Sequence, residues 1–554
     1  MDVGEAIVRN LGAIGVDTVF GGAGEANASM LLSLRSATTK TVIVRNEQGA
    51  AFMACGYAMF SDRLGVCFAT AGPGEFNLLS GLAVALSDSL PVLAISAFTP
   101  ARWRGKGALN EASGLHRTPD SWSIFAATTK RSFLVEDPGT VIDVLEQAVR
   151  LAFEGRPGPV HLQVPTDVFR MPVPAFRTIS VAVDPVPPAP QAISEAAETV
   201  ATVVRDGETL VLIGYGAVRS HAADDLLAFV ERFQVPFATT MDAKGILPES
   251  HPLSAGVLGT AGDPAAAGLF DDARVVIAFG NSFAQNATFE FSPDLFDGKD
   301  LVHVNIDPAE IGKVYRPRHG IVADVRPAVR ALSAALGERV GSIPERRWEM
   351  RKHADAEVAG GSRIHPALLV RELNRLLPER AIVLGDAGGH MLWLNAYLRL
   401  SHGQIYQNPG SFGPMASNVN GAIGVRAANP DRHVIVGCGD GAYLMAGFEL
   451  LTAVAHNLPV VWVIFNNGGF NVIKQFQLMH FHETAFTDFA DPDFAAYARA
   501  CGAHGARVER LPDFAGAFTE ALASGRPAVI DVLVDAEVYP PYEVELPRRA
   551  LAGA

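Results

Sequence analysis

Two glycine-containing turns, separated by a helix-like and a strand-like segment, constrain the fold of this chain more than any other feature. The turns are Gly-Asp-Gly at 439–441 and Asn-Asn-Gly-Gly at 466–469. The residues between them read as a helix, a turn and a buried strand, so each turn follows a strand. Because parallel strands end at one edge of their sheet, we expect Asp440 and Asn467 to meet there. Oxygen ligands of this kind suit Mg²⁺, and the glycines allow close approach of a diphosphate.

Length, composition and charge limit what the chain can be. Its 554 residues exceed what one hydrophobic core can organise, which predicts roughly two to four domains. Hydrophobic residues make up 49% and charged residues 19%, as in a globular protein rather than a disordered one. The net charge of −14 is mild for this length and argues against nucleic acid as a partner.

Three further features predict a cytoplasmic protein without a membrane segment. The first residues carry acids and lack the basic-then-apolar pattern of a signal peptide. No run reaches the roughly 18 apolar residues that a membrane-spanning helix needs. The 4 cysteines lie far apart without a metal-binding spacing, as expected of free thiols in a reducing compartment.

Strand-like and helix-like segments alternate in three stretches of the chain, which predicts an α/β fold with three doubly wound parallel sheets. The stretches are 1–170, 191–337 and 364–545. Between them, residues 171–191 are rich in proline and residues 337–363 are polar and charged, so both read as linkers.

Motifs in the first and third stretches share their order with one enzyme superfamily. They are Glu47 within Val-Arg-Asn-Glu-Gln-Gly, Gly-Pro-Gly at 72–74 with Asn77, Gly-Asp at 385–386, Gly-Pro-Met at 413–415, and the two turns above. This order resembles the thiamine diphosphate (ThDP) enzymes of the pyruvate decarboxylase and acetolactate synthase superfamily, over nearly the whole chain. The sharpest match is to acetolactate synthases, which carry Gln-aromatic-Gln after the paired asparagines, as residues 475–477 do here.

The resemblance implies a role for each domain and two cofactors, ThDP and Mg²⁺. It makes 1–170 the pyrimidine-binding domain, 191–337 a central domain and 364–545 the diphosphate-binding domain. Mg²⁺ would be held by the side chains of Asp440 and Asn467 and by the backbone carbonyl of Gly469.

Further cofactor contacts follow from the resemblance, residue by residue. Glu47 would hydrogen-bond the aminopyrimidine ring and thereby activate the cofactor. The other implied contacts are Pro73, Asn77, Gly388, His390, Gly413, Met415, Gly441 and Ala442. Many relatives have Ser or Thr where this chain has Ala442, so a diphosphate contact there would come from the backbone amide. Taken singly, Glu47 could be an ordinary helix N-terminal acid, Met415 a core residue and His390 a structural histidine.

The substrate side has weaker signals, and each keeps a structural alternative. His116 and Arg117 lie in a loop that faces the substrate in relatives, where the Arg117 fork could hold a carboxylate, or the pair could be solvent-exposed. Glu25 and Asn27 follow the first strand and suggest a polar acceptor.

The segment at 475–477 is expected to border the acceptor. Gln475 and Phe476 belong to the motif that relatives place beside the substrate, and Phe476 stands where many acetolactate synthases have a tryptophan that shapes the acceptor pocket. Core packing is the alternative for Phe476.

The central stretch gives no sign of a flavin site. Its Gly-Tyr-Gly at 214–216 is a lone GxG, which is weak support for a dinucleotide fold. Flavin-holding acetolactate synthases usually carry Arg-Phe-Asp-Asp where this chain has Asn-Ser-Phe-Ala at 281–284. We therefore expect a structural central domain without FAD.

Together the motifs predict a ThDP- and Mg²⁺-dependent carboligase that resembles acetolactate synthase. Its partners would be a small 2-oxo acid, most simply pyruvate, and a second carbonyl compound, with no nucleic acid or membrane partner. Because relatives place Glu47 and Asp440 on different subunits, we expect at least a homodimer, with a tetramer favoured. The alternatives are a non-ligating decarboxylase, a non-catalytic relative and a flavin-dependent oxidase; simple decarboxylases more often have a glutamate near position 473, which is Ile473 here.

Overall fold

Three six-stranded parallel sheets, each flanked by helices, follow one another along the chain. This is a computed structural model that describes residues 1–204, 207–338, 348, 363–490 and 492–541. The prediction of three doubly wound α/β domains is confirmed. Most of the charged linker predicted at 337–363, and the last residues of the third predicted domain, 542–545, lie outside the described residues.

The first domain has the strand order β2-β1-β3-β4-β6-β5. Its strands are β1 (Thr18–Gly21), β2 (Lys40–Ile43), β3 (Gly65–Ala69), β4 (Val92–Phe98), β5 (Ser132–Leu134) and β6 (Val160–Pro165). Its helices are α1 (Val3–Ala13), α2 (Ala28–Arg35), α3 (Glu47–Ser61), α4 (Pro73–Asn77), α5 (Leu79–Ser87), α6 (Ser121–Thr128) and α7 (Val141–Phe153).

The central domain has the order β12-β11-β10-β7-β8-β9, which is the doubly wound pattern of dinucleotide-binding folds. Its strands are β7 (Thr209–Ile213), β8 (Phe237–Thr239), β9 (Ser254–Val257), β10 (Val275–Phe279), β11 (Asp300–Asn305) and β12 (His319–Val322). Its helices are α8 (Pro190–Val203), α9 (Tyr215–Arg219), α10 (Ala223–Phe233), α11 (Pro264–Asp272) and α12 (Val325–Leu336).

The third domain repeats the strand order of the first, as β14-β13-β15-β16-β18-β17. Its strands are β13 (Ile382–Gly385), β14 (Ile405–Gln407), β15 (Val434–Gly439), β16 (Val460–Asn466), β17 (His504–Val508) and β18 (Ala528–Leu533). Its helices are α13 (Pro366–Leu376), α14 (Gly389–Tyr397), α15 (Ser417–Ala428), α16 (Asp440–Ala446), α17 (Leu450–Ala455), α18 (Asn471–Phe481), α19 (Phe494–Ala500) and α20 (Leu511–Ala523).

Burial on both faces explains why the central strands read as continuous apolar runs. Every residue of β16 is buried, and β15 is buried along all but its last residue, Gly439. Strands β15 and β16 pair in parallel along their whole length, so both end at the same edge. Asp440 follows β15 directly and Asn467 follows β16, which brings the two turns together as the spacing predicts.

A close contact between α3 and α15 joins the first and third domains. A Cβ on Gly56 would overlap the Gly421 carbonyl oxygen, and a Cβ on Gly424 would overlap the Met53 carbonyl oxygen. Only glycine therefore permits the two backbones to lie this close. Apolar side chains of both helices, including Phe52 and Val419, belong to one buried core that the two domains share.

No helix among the described residues has the length and apolar character needed to cross a bilayer. All four cysteines are free thiols; Cys55, Cys67 and Cys438 are buried, and Cys501 is only partly so.

The contact between α3 and α15 makes a stability prediction. Gly424→Ala should lower the melting temperature, because the added methyl meets backbone that cannot move aside; overpacking of this kind costs about 1–3 kcal/mol. The matched control is Gly516→Ala in α20, where an added Cβ meets nothing within 4 Å and helix propensity favours alanine. Thermal unfolding followed by circular dichroism compares the two. An unchanged melting temperature for Gly424→Ala would contradict the assignment.

Candidate active site at the edge of the third sheet

A cavity of about 250 Å³ opens at the carboxyl edge of the third sheet. It brings together eight predicted cofactor residues: Gly388, His390, Met415, Asp440, Gly441, Ala442, Asn467 and Gly469. All of its lining residues lie between Pro366 and Pro540, so the third domain forms its whole wall in one chain.

Asp440 ties the two glycine-containing turns to each other. Its Oδ1 accepts a hydrogen bond from the amide of Gly441 at 2.7 Å. Its Oδ2 accepts from the amides of Asn467 at 3.1 Å, Gly468 at 2.7 Å and Gly469 at 3.3 Å. Burial raises the pKa of Asp440 to about 6, while these amides act in the opposite direction by stabilising the carboxylate. The side chain is thus a buried, strongly oriented acceptor at the cavity wall.

The side-chain oxygens of Asp440 and Asn467 in this cavity are suited to a divalent cation. The side-chain Oδ1 of Asn467 is buried and has no hydrogen-bond partner, although an unsatisfied buried acceptor costs about 1–3 kcal/mol. Paired with the Asp440 carboxylate, it offers the hard oxygen ligands that Mg²⁺ takes. Among the described residues no group of three or more His, Cys, Asp or Glu could hold a metal, so this candidate depends on one carboxylate and neutral oxygens.

His390 contributes a neutral imidazole to the same cavity. It lies in the first turn of α14, after Gly388, and burial lowers its pKa to about 4. Its Nε2 is buried without a hydrogen-bond partner. The ring can therefore exchange a hydrogen bond with a ligand, which favours the ligand-contact interpretation over a purely structural histidine.

A buried aspartate fixes the loop that carries Met415. The Asp386 carboxylate accepts from the amides of Ala416 at 2.7 Å and Asn418 at 2.8 Å, and burial raises its pKa to about 6. Met415 is held beside Gly441, where an added Cβ would lie 3.3 Å from the methionine Cε. Gly413, with φ of 50°, begins this loop but does not line the cavity.

Glu47, Pro73 and Asn77 gather in the first domain instead. Glu47 is the first residue of α3 and is half-buried, and its Oε2 accepts from Asn77 Nδ2 at 2.9 Å. A Cβ on Gly74 would lie 3.0 Å from Glu47 Oε1, and a Cβ on Gly22 would lie 2.4 Å from the same oxygen. Two glycines and one amide therefore set the direction of this carboxylate.

Sequence reasoning missed Glu449, which connects the two halves of the chain. It is fully buried, and its Oε1 accepts from the amides of Arg45 at 3.0 Å and Asn46 at 2.9 Å. Its Oε2 accepts from Thr452 Oγ1 at 2.5 Å. Glu449 thereby anchors the residues before Glu47 to the third domain. No sequence motif identifies Glu449, because a glutamate in a helix-like stretch is expected to be exposed to solvent.

The loop with His116 and Arg117 lies apart from the cavity of the same chain. Both side chains are exposed, and neither lines the cavity. The loop is organised by Glu111, whose carboxylate accepts from the amides of Gly107 and Ala108, both at 3.0 Å.

Asn27, one of the two residues that suggest a polar acceptor, directs its side chain to its own loop. Its Oδ1 accepts from the Gly24 amide at 2.9 Å, its Nδ2 donates to the Gly22 carbonyl at 2.9 Å, and it is 1% exposed. Asn27 therefore holds the loop together, while Glu25 is exposed.

Helix α18 carries Gln475 and Phe476 and has no fully buried residue. Phe476 is 50% exposed, and its ring centroid lies 4.4 Å from that of His480. The Oε1 of Gln475 is buried without a partner, whereas Gln477 exchanges two hydrogen bonds with the Ala485 backbone. Within one chain, Phe476 is a surface residue rather than core packing.

Comparisons with known proteins agree with this geometry. The chain matches the N-terminal TPP binding domain of thiamine pyrophosphate enzymes over residues 1–116, the central domain over 194–332 and the C-terminal TPP binding domain over 386–532. It is 30% identical to the acetolactate synthase large subunit of Corynebacterium glutamicum, over 97% of this chain and 87% of the relative. It is 31% identical to an acetolactate synthase of Mycobacterium bovis, over 97% and 89%. It is 30% identical to the chloroplastic acetolactate synthase of Arabidopsis thaliana, over 96% and 81%.

Removal of the Asp440 carboxylate should weaken cofactor binding. Asp440→Ala leaves four backbone amides without their shared acceptor, so both turns loosen and one expected metal ligand is lost. We expect the ThDP dissociation constant measured with Mg²⁺ by calorimetry to rise about 100-fold or more. The control is Asp431→Ala, an exposed carboxylate of the same domain that pairs with Arg380. Equal affinities for the two variants would contradict the assignment.

Proposed function

Because this chain belongs to the thiamine pyrophosphate enzymes and is acetolactate synthase-like, we propose that it is a Mg²⁺-dependent carboligase. It would decarboxylate a 2-oxo acid, most simply pyruvate, and join the remaining two-carbon unit to a second carbonyl compound. The observation that carries the proposal is the cavity where Asp440 links both turns, with the unpartnered Asn467 Oδ1 beside it.

The third domain would bind the diphosphate end of ThDP. Asp440, Asn467 and the Gly469 carbonyl would hold Mg²⁺, and the metal would neutralise diphosphate oxygens. A larger residue at position 441 would force the Phe470 ring to move, because an added Cβ would lie 2.6 Å from it. His390 would donate or accept a hydrogen bond as a neutral ring.

The first domain would act on the pyrimidine end. ThDP supplies a nucleophilic carbon that also accepts the electrons left when carbon dioxide departs. Glu47 would exchange a proton with the pyrimidine ring, and the hydrogen bond from Asn77 would hold the Glu47 carboxylate in place. Met415 would hold the two cofactor rings in a bent arrangement, a proximity effect.

Two copies of the chain are proposed to complete each site. The cavity wall comes from the third domain alone, so Glu47 of a second copy can enter from outside. Large apolar side chains beside the cavity are exposed in one chain: Leu444 at 52%, Met445 at 49%, Ile473 at 50% and Phe476 at 50%. A second copy would cover them, which supports at least a dimer; a tetramer would add further contacts.

Apolar side chains near the expected substrate position favour ligation over release of an aldehyde. Position 473 is Ile rather than an acid, and Phe476 is also apolar. Protonation of the two-carbon unit competes with carbon–carbon bond formation, and exclusion of water slows protonation. His116 and Arg117 remain candidate substrate contacts if their loop approaches the site of a second copy.

We propose that the central domain binds no flavin. In the turn after β7 the amide of Gly216 already donates to the Gly280 carbonyl at 2.9 Å. A Cβ on Gly214 would lie 2.6 Å from Asn281 Cα, so these glycines permit close packing of the chain.

A product assay tests the reaction. The protein is incubated with ThDP, Mg²⁺ and pyruvate, and products are separated by chromatography with mass detection. We expect acetolactate or another ketol, with acetaldehyde as a minor product, because protonation is disfavoured in a dry site. Acetaldehyde as the main product would support the decarboxylase alternative instead. Absence of any pyruvate consumption, together with absence of ThDP binding, would support the non-catalytic alternative.

Subunit mixing tests where the site lies. Glu47→Gln and Asp440→Ala chains are co-expressed with different tags, and the mixed dimer is isolated. Each homodimer should be inactive; the mixed dimer should retain one intact site and about half of wild-type turnover per dimer. If both groups served one chain's own site, the mixed dimer would be inactive too.

A further inference from the structure

A fully buried carboxyl group, Glu75, lies behind the short helix that contacts Glu47, and the proposed reaction does not use it. Glu75 is the third residue of α4 and is 0% exposed. The same five-residue helix carries Gly74 and Asn77, which contact the Glu47 carboxylate. One helix thus links a buried acid to the acid proposed to activate the cofactor.

Donors from two neighbouring strands, β4 and β6, converge on Glu75. Its Oε2 accepts from Ser96 Oγ at 2.8 Å and from Gln163 Nε2 at 3.0 Å. The same Gln163 Nε2 also donates to Ser121 Oγ at 2.7 Å. The other carboxyl oxygen, Oε1, is buried without a hydrogen-bond partner, so the side-chain donors of Ser96 and Gln163 both reach Oε2.

A row of hydrogen bonds continues from Ser96 through His161 to Ser132. Ser96 Oγ lies 2.9 Å from His161 Nε2, and His161 Nδ1 lies 2.8 Å from Ser132 Oγ. Burial lowers the pKa of His161 to about 3, so the ring is neutral. With Ser96 donating to Glu75, His161 must donate through Nε2 and accept from Ser132 at Nδ1. Every hydrogen bond in this row then points toward Glu75.

Strand register explains why these polar groups meet. Ser96 of β4 pairs with Gln163 of β6, and Ser132 of β5 pairs with His161 of β6. Paired residues and residues two apart share one face of a sheet, so all four side chains lie together. They form a polar patch within strands that otherwise read as apolar, and the Phe125 ring stacks on His161 at 3.8 Å.

These contacts tie α4 to the first sheet. A five-residue helix has too few internal hydrogen bonds to persist by itself. Glu75 is its one buried charged side chain, and it is tied to β4 and β6. Without the carboxyl group, Ser96 and Gln163 would lose a shared acceptor, and α4 could shift with Asn77.

We propose that Glu75 is a positioning residue: its buried hydrogen bonds fix α4, and α4 orients the Glu47 carboxylate through Asn77 and Gly74. The inference rests on the proposed role of Glu47 toward ThDP. Burial raises the pKa of Glu75 to about 7, so near neutral pH a neutral side chain of the same shape is a fair substitute. Glu75→Gln should therefore preserve the arrangement, whereas Glu75→Ala should not.

The readout is exchange of the thiazolium C2 proton of bound ThDP for deuterium, followed by NMR with Mg²⁺ present and no substrate. Glu75→Ala should slow this exchange about 10- to 100-fold, because a small displacement of Glu47 is costly. The ThDP dissociation constant should change less than about threefold, since the diphosphate site is untouched. Glu75→Gln should exchange within about threefold of wild type.

The matched control is Leu145→Ala, which removes a buried side chain of α7 in the same domain, from a core cluster that contains no residue of α4. Leu145→Ala should lower the melting temperature without slowing C2 proton exchange at saturating ThDP.

If Glu75→Ala does not fold, Ser96→Ala takes its place, because it removes one donor to Glu75. The same slowing of C2 proton exchange, with a ThDP dissociation constant close to that of wild type, is then expected.

Three results would overturn the inference: wild-type exchange in Glu75→Ala, equal losses in Glu75→Gln and Glu75→Ala, or an equal loss in Leu145→Ala. Failure of the proposed function looks different. In that case wild type itself would not accelerate exchange, or Glu47→Gln would leave the acceleration intact.

Discussion

The contact between α3 and α15 determines where the other functional groups of the chain can lie. Glycines at 56 and 424 let the two helix backbones touch, and the side chains around them merge the first and third domains into one core. Glu449 adds a polar tie to the residues that precede Glu47. The start of α3 is therefore fixed to the third domain, yet the cavity beside Asp440 is lined by third-domain residues alone. This arrangement is the physical basis for proposing a site shared by two chains.

Buried carboxylates recur as the means by which irregular segments are held rigid. Asp440 joins two turns, Asp386 fixes the loop before α15, Glu449 holds residues 45–46, and Glu75 holds α4. A buried carboxylate is costly unless several donors meet it. Glycine-rich turns and helix starts supply free amides to Asp440, Asp386 and Glu449, and the side chains of Ser96 and Gln163 supply the donors to Glu75. Each acid thus fixes the conformation of an irregular segment, and a site that is built from loops requires such fixed segments.

Particular residues show how far sequence reasoning reaches. The spacing of Asp440 and Asn467 predicts their meeting correctly, because parallel strands separated by one helix must end at the same sheet edge. The residue type of Asn27 does not reveal its partners, since an asparagine in a tight loop can satisfy the loop's own backbone as readily as a ligand. Glu449 and Glu75 escaped notice because their donors lie 404 and 88 residues away in the chain. Local patterns carry no information about such partners.

The amino-acid sequence by itself determined the three α/β units and the meeting of the two glycine-containing turns, since both follow from periodicity and short spacings, and its motifs carry the family resemblance. Only the tertiary structure decided which polar side chains form hydrogen bonds within the protein and which remain available to a ligand. Asn27 belongs to the first group, and Asn467 and His390, each with a buried atom lacking a partner, belong to the second. That division depends on contacts between distant segments, because a polar atom is available only when no neighbour in space has already paired with it.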